Sequence, residues 1–382
     1  MDFLKEIRLK IFYLIYYVIK AFTKTNDKRV LFESYWGGSV SCNPKAMMDY
    51  MIDNGYDYEY IFVYNAGDKI DTENIKYVNM KSLKYLYYRA TSKYWVSNTH
   101  IMGSLKPRKD QIYMQTWHGA GAFKKFGLDI IEDRGSEKAA WRKDADNWNY
   151  LLCSSDEVRG IYSNAFGIPI DKVYPTGLPR NDYFYDDDIK NKFKKIVNEL
   201  VGNKDGKKIV LYAPTFRDNN EFKLMLDFEK LYNKFADKYI FILKLHPNIM
   251  SDVIKIDDKY KDFVFNFSNY GETQELLLAS DVLITDYSSI IFDFALTGNP
   301  ILFYAYDLEL YKEKLRGFYY EYEKFVPGPI IKTESELIDS LNDFENLKSA
   351  NKERIEKFAR KFNTKAEVSS TKLAVDLLLS EK

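Results

Sequence analysis

Two of the chain's three histidines sit in dense polar motifs that each follow a strand-like apolar run: Gln115-Thr116-Trp117-His118-Gly119 and Lys244-Leu245-His246-Pro247. Imidazole titrates near neutral pH, so a chain with so little of it is expected to keep it where a proton must be taken or given. The third histidine, His100, follows Trp95-Val96-Ser97-Asn98 and reads as a capping or core-edge residue. In the loop from Gln115 to Asp129, three glycines would let backbone come close to a ligand and Lys124 and Lys125 add positive charge. There His118, with Gly119 leaving it accessible, is a candidate general base; a buried histidine satisfied by a backbone carbonyl weighs equally on this motif alone. Further along, Ala213-Pro214-Thr215-Phe216-Arg217 sets a guanidinium just past a strand-like run, and Lys244 and His246 set a cation and an imidazole past the next. Thr285-Asp286-Tyr287-Ser288-Ser289 opens an apolar helix that runs to about Leu296, before Gly298 and Pro300, and serines at such a start form an anion site. Singly these signals are weak; together at one sheet edge they would suit a pyrophosphate.

Those motifs need elements to hold them. From residue 28 onward, short apolar runs alternate with helical stretches, as in parallel α/β sheets: Val30-Phe32, Tyr60-Val63, Tyr94-Val96, Gln111-Met114 and Tyr150-Cys153. Ser154-Ser155-Asp156-Glu157 offers a capping box to a helix expected to end at Phe166, before Gly167. After a charged segment from Asp186 to Lys207, read as a solvated linker, the alternation resumes with Ile209-Tyr212, Tyr239-Leu243, Phe263-Phe265, Val282-Ile284 and Ile301-Phe303. Two open sheets are thus expected, with ligand loops at the carboxyl ends of their strands lining a cleft between them. The length of 382 residues agrees with two domains. We set the boundaries at 1–27 for an N-terminal helix, 28–185 for the first Rossmann-like domain and 186–382 for the second, whose last helix has the option of crossing back.

Composition excludes several classes. Lys plus Arg equals Asp plus Glu at 56 each, and no basic run is interleaved with stacking aromatics, so nucleic acid is not an expected partner. Two distant cysteines, Cys42 and Cys153, with no cleavable leader read from the sequence, indicate a reducing compartment and neither a disulfide framework nor a thiolate metal site. Asp186-Asp187-Asp188 resembles a divalent-ion motif only superficially, because no apolar strand precedes it; neither metal nor cofactor is expected. In residues 1–24 the uninterrupted apolar stretch Ile11–Ile19 is nine residues long, whereas a spanning helix needs about 20. A basic, aromatic-rich amphipathic helix at the membrane surface fits these residues, and a helix packed on the protein or on another subunit is its rival.

The motifs in order resemble the CDP-glycerol glycerophosphotransferases that build teichoic acids. They run from Asn43-Pro44-Lys45-Ala46 through Thr116-Trp117-His118-Gly119, Gly177-Leu178-Pro179-Arg180-Asn181-Asp182, Ala213-Pro214-Thr215-Phe216-Arg217, Lys244-Leu245-His246-Pro247 and Thr285-Asp286-Tyr287-Ser288-Ser289 to Pro327-Gly328-Pro329. The resemblance implies a GT-B architecture, two Rossmann-like domains facing across a cleft, with a membrane-associated N-terminal helix on the cytoplasmic face of the cell membrane. It also implies transfer of glycerol phosphate from CDP-glycerol to a hydroxyl of a membrane-lipid-linked acceptor, such as an undecaprenyl-diphosphate saccharide or polymer, with release of CMP. His118 is then the base and Asp129 its candidate orienter. Gly119, Arg180, Asn181, Asp182, Arg217, Lys244, His246, Thr285, Asp286, Ser288 and Ser289 are the candidate substrate contacts. One departure is visible: Ala120-Gly121-Ala122-Phe123 follows His118-Gly119 where the family pattern has a Thr-Pro-Leu-like run, removing a hydroxyl that would touch phosphate or acceptor. The chain shows no long extra domain, which leans the expectation toward a primase. Polymerase activity, CDP-ribitol as donor and oligomer formation stay open, as do a GT-B sugar transferase and a non-catalytic membrane-bound binding protein.

Overall fold

The computed structural model describes residues 2–65, 72–131, 134–215, 224–245, 256–314, 317–364 and 368–380. The chain divides into two compact units: 1–118, 126–182 and 364–382 form the first, 119–125 and 183–363 the second.

The first unit is built on seven parallel strands: β1 Asn26–Glu33, β2 Glu59–Val63, β3 Ile75–Val78, β4 Ser92–Ser97, β5 Ile112–Gln115, β6 Tyr150–Leu152 and β7 Val173–Tyr174. Their order, β3-β2-β1-β4-β5-β6-β7, is that of a doubly wound sheet, with its reversal point between β1 and β4. Helices α1 Asp2–Phe22, α2 Cys42–Asp53, α3 Leu83–Thr91, α4 Gly135–Ala145 and α5 Asp156–Phe166 belong to this unit. Helix α5 ends as expected at Phe166, with Gly167 in the left-handed conformation, but Ser155 makes no side-chain cap hydrogen bond. Phe32, Phe62, Met47, Met51 and Val96 pack into one core on this sheet.

The second unit holds six parallel strands: β8 Lys208–Tyr212, β9 Tyr239–Leu243, β10 Val264–Asn266, β11 Val282–Thr285, β12 Ile301–Tyr304 and β13 Ile330–Ile331. The order β10-β9-β8-β11-β12-β13 again reverses in the middle, between β8 and β11. Its helices are α6 Asp187–Leu200, α7 Phe228–Phe235, α8 Thr273–Ala279, α9 Ile290–Phe294, α10 Leu308–Lys314, α11 Tyr322–Phe325, α12 Glu334–Asn342 and α13 Phe344–Phe362. The charged stretch read as a linker is largely helix α6, entered through Asp186, whose side chain accepts from the Ile189 amide. Its buried contact is narrow, Val197 alone being fully covered, which is why composition reads as solvated.

After α13 the chain rejoins the first unit as α14, Ser370–Leu379. Ala374, Val375 and Leu378 of this helix are fully buried in the core that holds Met47 and Met51. The Asp182 carboxylate caps it from a distance in sequence, accepting from the amides of Ser370 (2.9 Å) and Thr371 (2.8 Å). Those amides are among the first of the helix and have no partner within it.

Among the described residues no helix is long and apolar enough to cross a membrane. Helix α1 lies on the first unit by one side. Tyr16 is fully buried and its hydroxyl donates to the Lys106 carbonyl (2.7 Å), while Arg108 donates back to the carbonyl of Thr23 (2.8 Å). The other side exposes Ile7, Ile11, Leu14, Val18 and Phe22, a stripe at helical spacing in which Leu14 is 64% and Phe22 87% accessible.

Candidate functional site

At the reversal point of the first sheet, the loops after β1, β4 and β5 converge around His118. Its Nδ1 lies 2.7 Å from the Asn98 carbonyl oxygen. A carbonyl only accepts, so Nδ1 carries the hydrogen and the lone pair of the neutral ring sits on Nε2. The carbonyl partner weighed above is thus present. The Tyr35 ring, in the loop after β1, lies 5.8 Å from the imidazole.

The peptide before His118 is held on both sides. Trp117 has φ of 51°, a left-handed conformation that costs energy for any residue with a side chain. Its amide donates to Gln115 Oε1 (2.9 Å) and its carbonyl accepts from Asn43 Nδ2 (3.0 Å). Asn43 is fully buried and its Oδ1 also receives the Arg180 amide (3.2 Å), so one side chain joins the histidine turn to the 177–182 loop. Asn43 and Asn98 are the positioning residues that sequence reasoning missed. Asn43 stood in a quoted motif without a role, and Asn98 meets His118 through its backbone carbonyl, which any residue would supply, so its identity carried no signal for that contact.

The other first-unit candidates are placed as follows. Asp129 ends a short 3-10 turn, Gly127–Asp129, while the position that orients His118 at Nδ1 is filled by the Asn98 carbonyl. Arg180 is buried, with Nη1 donating to the Cys42 sulfur at 3.0 Å. Asn181 is buried beside it, and Asp182 uses both oxygens as the cap of α14. His100 is a core-edge residue: its Nδ1 meets Asp144 at 3.0 Å and its ring stacks on Trp148.

Gly119 is the first residue of the short segment, 119–125, that belongs to the second unit. The expectation that this loop's glycines admit a ligand is corrected at Gly121. A Cβ there would fall 2.3 Å from the Phe292 ring, so its bareness serves close packing inside the protein.

At the reversal point of the second sheet, the loops after β8 and β11 are tied by Asp286. Its Oδ1 accepts the amides of Thr215 (2.8 Å) and Tyr287 (2.5 Å), and the Thr285 hydroxyl donates to the Ala213 carbonyl (2.7 Å). Ser288 and Ser289 follow directly, half-buried, at the start of α9. Lys244, past β9, donates to the carbonyls of Ser268 (3.1 Å) and Tyr270 (2.6 Å). Burial pushes its ammonium down to about 8, against a weaker opposing effect of the Glu272 carboxylate. Arg217 and His246 lie outside the described residues. Among the described residues no cluster of His, Cys, Asp or Glu has the grouping of a metal site.

Each sheet therefore presents polar groups at its reversal point, the place where doubly wound α/β proteins bind ligands, and in the first unit the Asn98 carbonyl holds the imidazole of His118. This is the constitution of an α/β transferase. The chain belongs to the CDP-glycerol:poly(glycerophosphate) glycerophosphotransferase family, whose model matches residues 15–380. It is 36% identical to a teichoic acid poly(glycerol phosphate) polymerase of Bacillus spizizenii, over 98% of each chain. It is 33% identical to a teichoic acid glycerol-phosphate transferase of Staphylococcus aureus, over 91% of this chain and 92% of that one. In fold it matches the wall teichoic acid polymerase TagF with a TM-score of 0.89 at 28% identity, covering 98% of this chain and 94% of the other.

Proposed function

We propose that this enzyme transfers glycerol phosphate from CDP-glycerol to the hydroxyl of a lipid-linked acceptor. The acceptor oxygen forms a bond to the phosphorus that carries the glycerol, the bond from that phosphorus to the bridging oxygen breaks, and CMP leaves with the bridging oxygen. The acceptor's proton goes to Nε2 of His118. The observation that carries this reading is the hydrogen bond from Nδ1 to the Asn98 carbonyl, which leaves Nε2 as the basic nitrogen. Charge gathering on the phosphoryl oxygens and on CMP needs fixed donors. Lys244 and the Ser288-Ser289 turn are assigned that task, with Arg217 and His246 alongside and Asp286 holding the turn. Gly119, Arg180 and Asn181 are assigned to the acceptor side, and CDP-ribitol is the alternative donor.

The relative matched along 98% of both chains carries the name of a polymerase, so chain length gives no preference for priming. Product mass decides: one added unit marks a primase, a ladder a polymerase. The exposed stripe of α1, flanked by Arg8 and Lys10, supports seating on the cytoplasmic surface of the membrane, where the lipid-linked acceptor would be.

The test is His118→Asn, which keeps a polar group of similar reach but no titrating nitrogen. CMP release from CDP-glycerol is expected to fall by about 10²–10⁴-fold, while CDP-glycerol still binds in a calorimetric titration. Turnover at the wild-type rate in this variant overturns the assignment.

A further inference from the structure

The loop after β1 holds two exposed rings on a strained backbone. Tyr35, Trp36 and Gly37 follow one another at φ of 49°, 53° and 75°, the left-handed region, which costs energy at the two positions that carry a side chain. Tyr35 is 37% and Trp36 53% exposed, so burial of the rings does little to offset that cost.

The turn is pinned from two directions. The Tyr35 amide donates to Asn98 Oδ1 (2.9 Å) and Trp36 Nε1 donates to the His100 carbonyl (2.8 Å), both acceptors lying just past β4. From the loop after β2, Asn65 Nδ2 donates to the Trp36 carbonyl (2.5 Å) and the Asn65 amide to the Gly37 carbonyl (2.8 Å). Gly37 is where this closeness shows: a Cβ there would fall 2.7 Å from the Asn65 side chain. The stretch that fixes the turn also fixes the imidazole, since the Asn98 carbonyl accepts from His118 Nδ1. Asn98, fully buried, thus sets the turn through its side chain and the histidine through its backbone. The Tyr35 ring comes to lie 5.8 Å from that of His118, tilted by 56°.

Strained backbone persists where its surroundings over-determine it, and such places cluster where ligands are held. A turn that only joined β1 to α2 would take glycine at these positions without strain. Tyrosine and tryptophan instead offer flat apolar faces with a polar edge, suited to the C–H face of a sugar or polyol and to its hydroxyls. The groups assigned above to the donor's phosphates belong to the second unit, and the base must meet the acceptor's hydroxyl, so rings beside the base belong to the acceptor's side. We propose that Tyr35 and Trp36 contact the acceptor and orient the unit that bears its attacking hydroxyl beside His118. This rests on the activity proposed above and names two residues that select and align its acceptor.

The experiment uses the full chain, the variants Trp36→Ala, Tyr35→Ala and Trp36→Phe, and two acceptor probes: glycerophosphoglycerol, which ends in a polyol, and a short-chain prenyl-diphosphate disaccharide, which ends in a sugar. Trp36 is the exposed one of the five tryptophans, so the probe that binds is expected to change the tryptophan emission of the wild type. In Trp36→Phe that probe still binds by calorimetry while the emission change is lost. Trp36→Ala and Tyr35→Ala are each expected to raise KM for the acceptor several-fold to about tenfold, with CDP-glycerol bound as in the wild type, and to divert a larger share of CMP release to water. Trp36→Gly, which takes the left-handed conformation freely, replaces an alanine variant that does not fold. An acceptor KM equal to that of the wild type in both positions overturns the proposal. So does a matched loss of acceptor and CDP-glycerol affinity, the mark of a merely structural role, or a wild-type emission that neither probe changes. A wild type that releases no CMP from CDP-glycerol would defeat the activity reading alone, since the emission titration still decides the turn.

Discussion

At the scale of single residues, the site is a matter of which hydrogen-bond groups are already occupied. In His118 the hydrogen bond from Nδ1 to a backbone carbonyl puts the lone pair of the neutral ring on Nε2. Asn43 acts through others: it donates to the Trp117 carbonyl and accepts from the Arg180 amide, so it ties the turn before His118 to the 177–182 loop. Lys244 shows the cost of a buried cation. Its folded pKa, about 8, lies below the ordinary 10.5, so between those values the unfolded chain holds a proton that the native chain lacks. Stability conferred relative to a neutral side chain therefore rises with pH across that window, by on the order of 3 kcal/mol, and the burial cost is fully present below pH 8. Urea unfolding of wild type and Lys244→Met at pH 7 and pH 10 checks the sign. The stability difference is expected to shift toward the wild type at the higher pH, and parallel pH curves would refute it.

At the scale of elements, strands were readable and their ends were informative. Each long apolar run became a strand, and the polar motifs after them fell at carboxyl ends, as buried parallel strands require. The strands not anticipated are β3, at the sheet edge and half-covered, and β7 and β13, which have two residues each and so no periodicity to detect. Helix α1 packs its Tyr16 side on the protein and leaves the Ile11, Leu14 and Val18 side exposed. An apolar side chain contributes roughly 1.5–3 kcal/mol on burial. Leu14→Glu with Val18→Glu is therefore expected to weaken binding to phosphatidylglycerol-containing vesicles at least about tenfold in a flotation assay. CMP release toward a soluble acceptor should be unaffected, and undiminished flotation would assign the stripe to a protein surface.

At the scale of the whole molecule, the chain passes between its two units more than once, and α14 shows what this does to stability. A segment near the end of the sequence completes the core of the unit near its beginning, with Leu378 fully buried there. Leu378→Ala is expected to cost about 2–5 kcal/mol, read as a lower denaturation midpoint for the first unit, while the second unit's core residues, such as Phe241 and Leu302, are untouched. A midpoint equal to that of the wild type would show that α14 is not part of that cooperative core. What the sequence determined by itself was local: the runs that become strands, the polar loops after them, the histidines worth attention and the family those motifs resemble. Such features are encoded by neighbours, because burial on a strand and capping at a helix start depend on residues a few positions apart. The tertiary structure alone decided which carbonyl orients His118, that Asn43 bridges two loops, that Asp182 caps a helix 188 residues away, and that Asn98 and His100 hold the Tyr35–Trp36 turn. Those pairings follow from strand order and the return of α14, and no short-range pattern of apolar and polar residues carries that information.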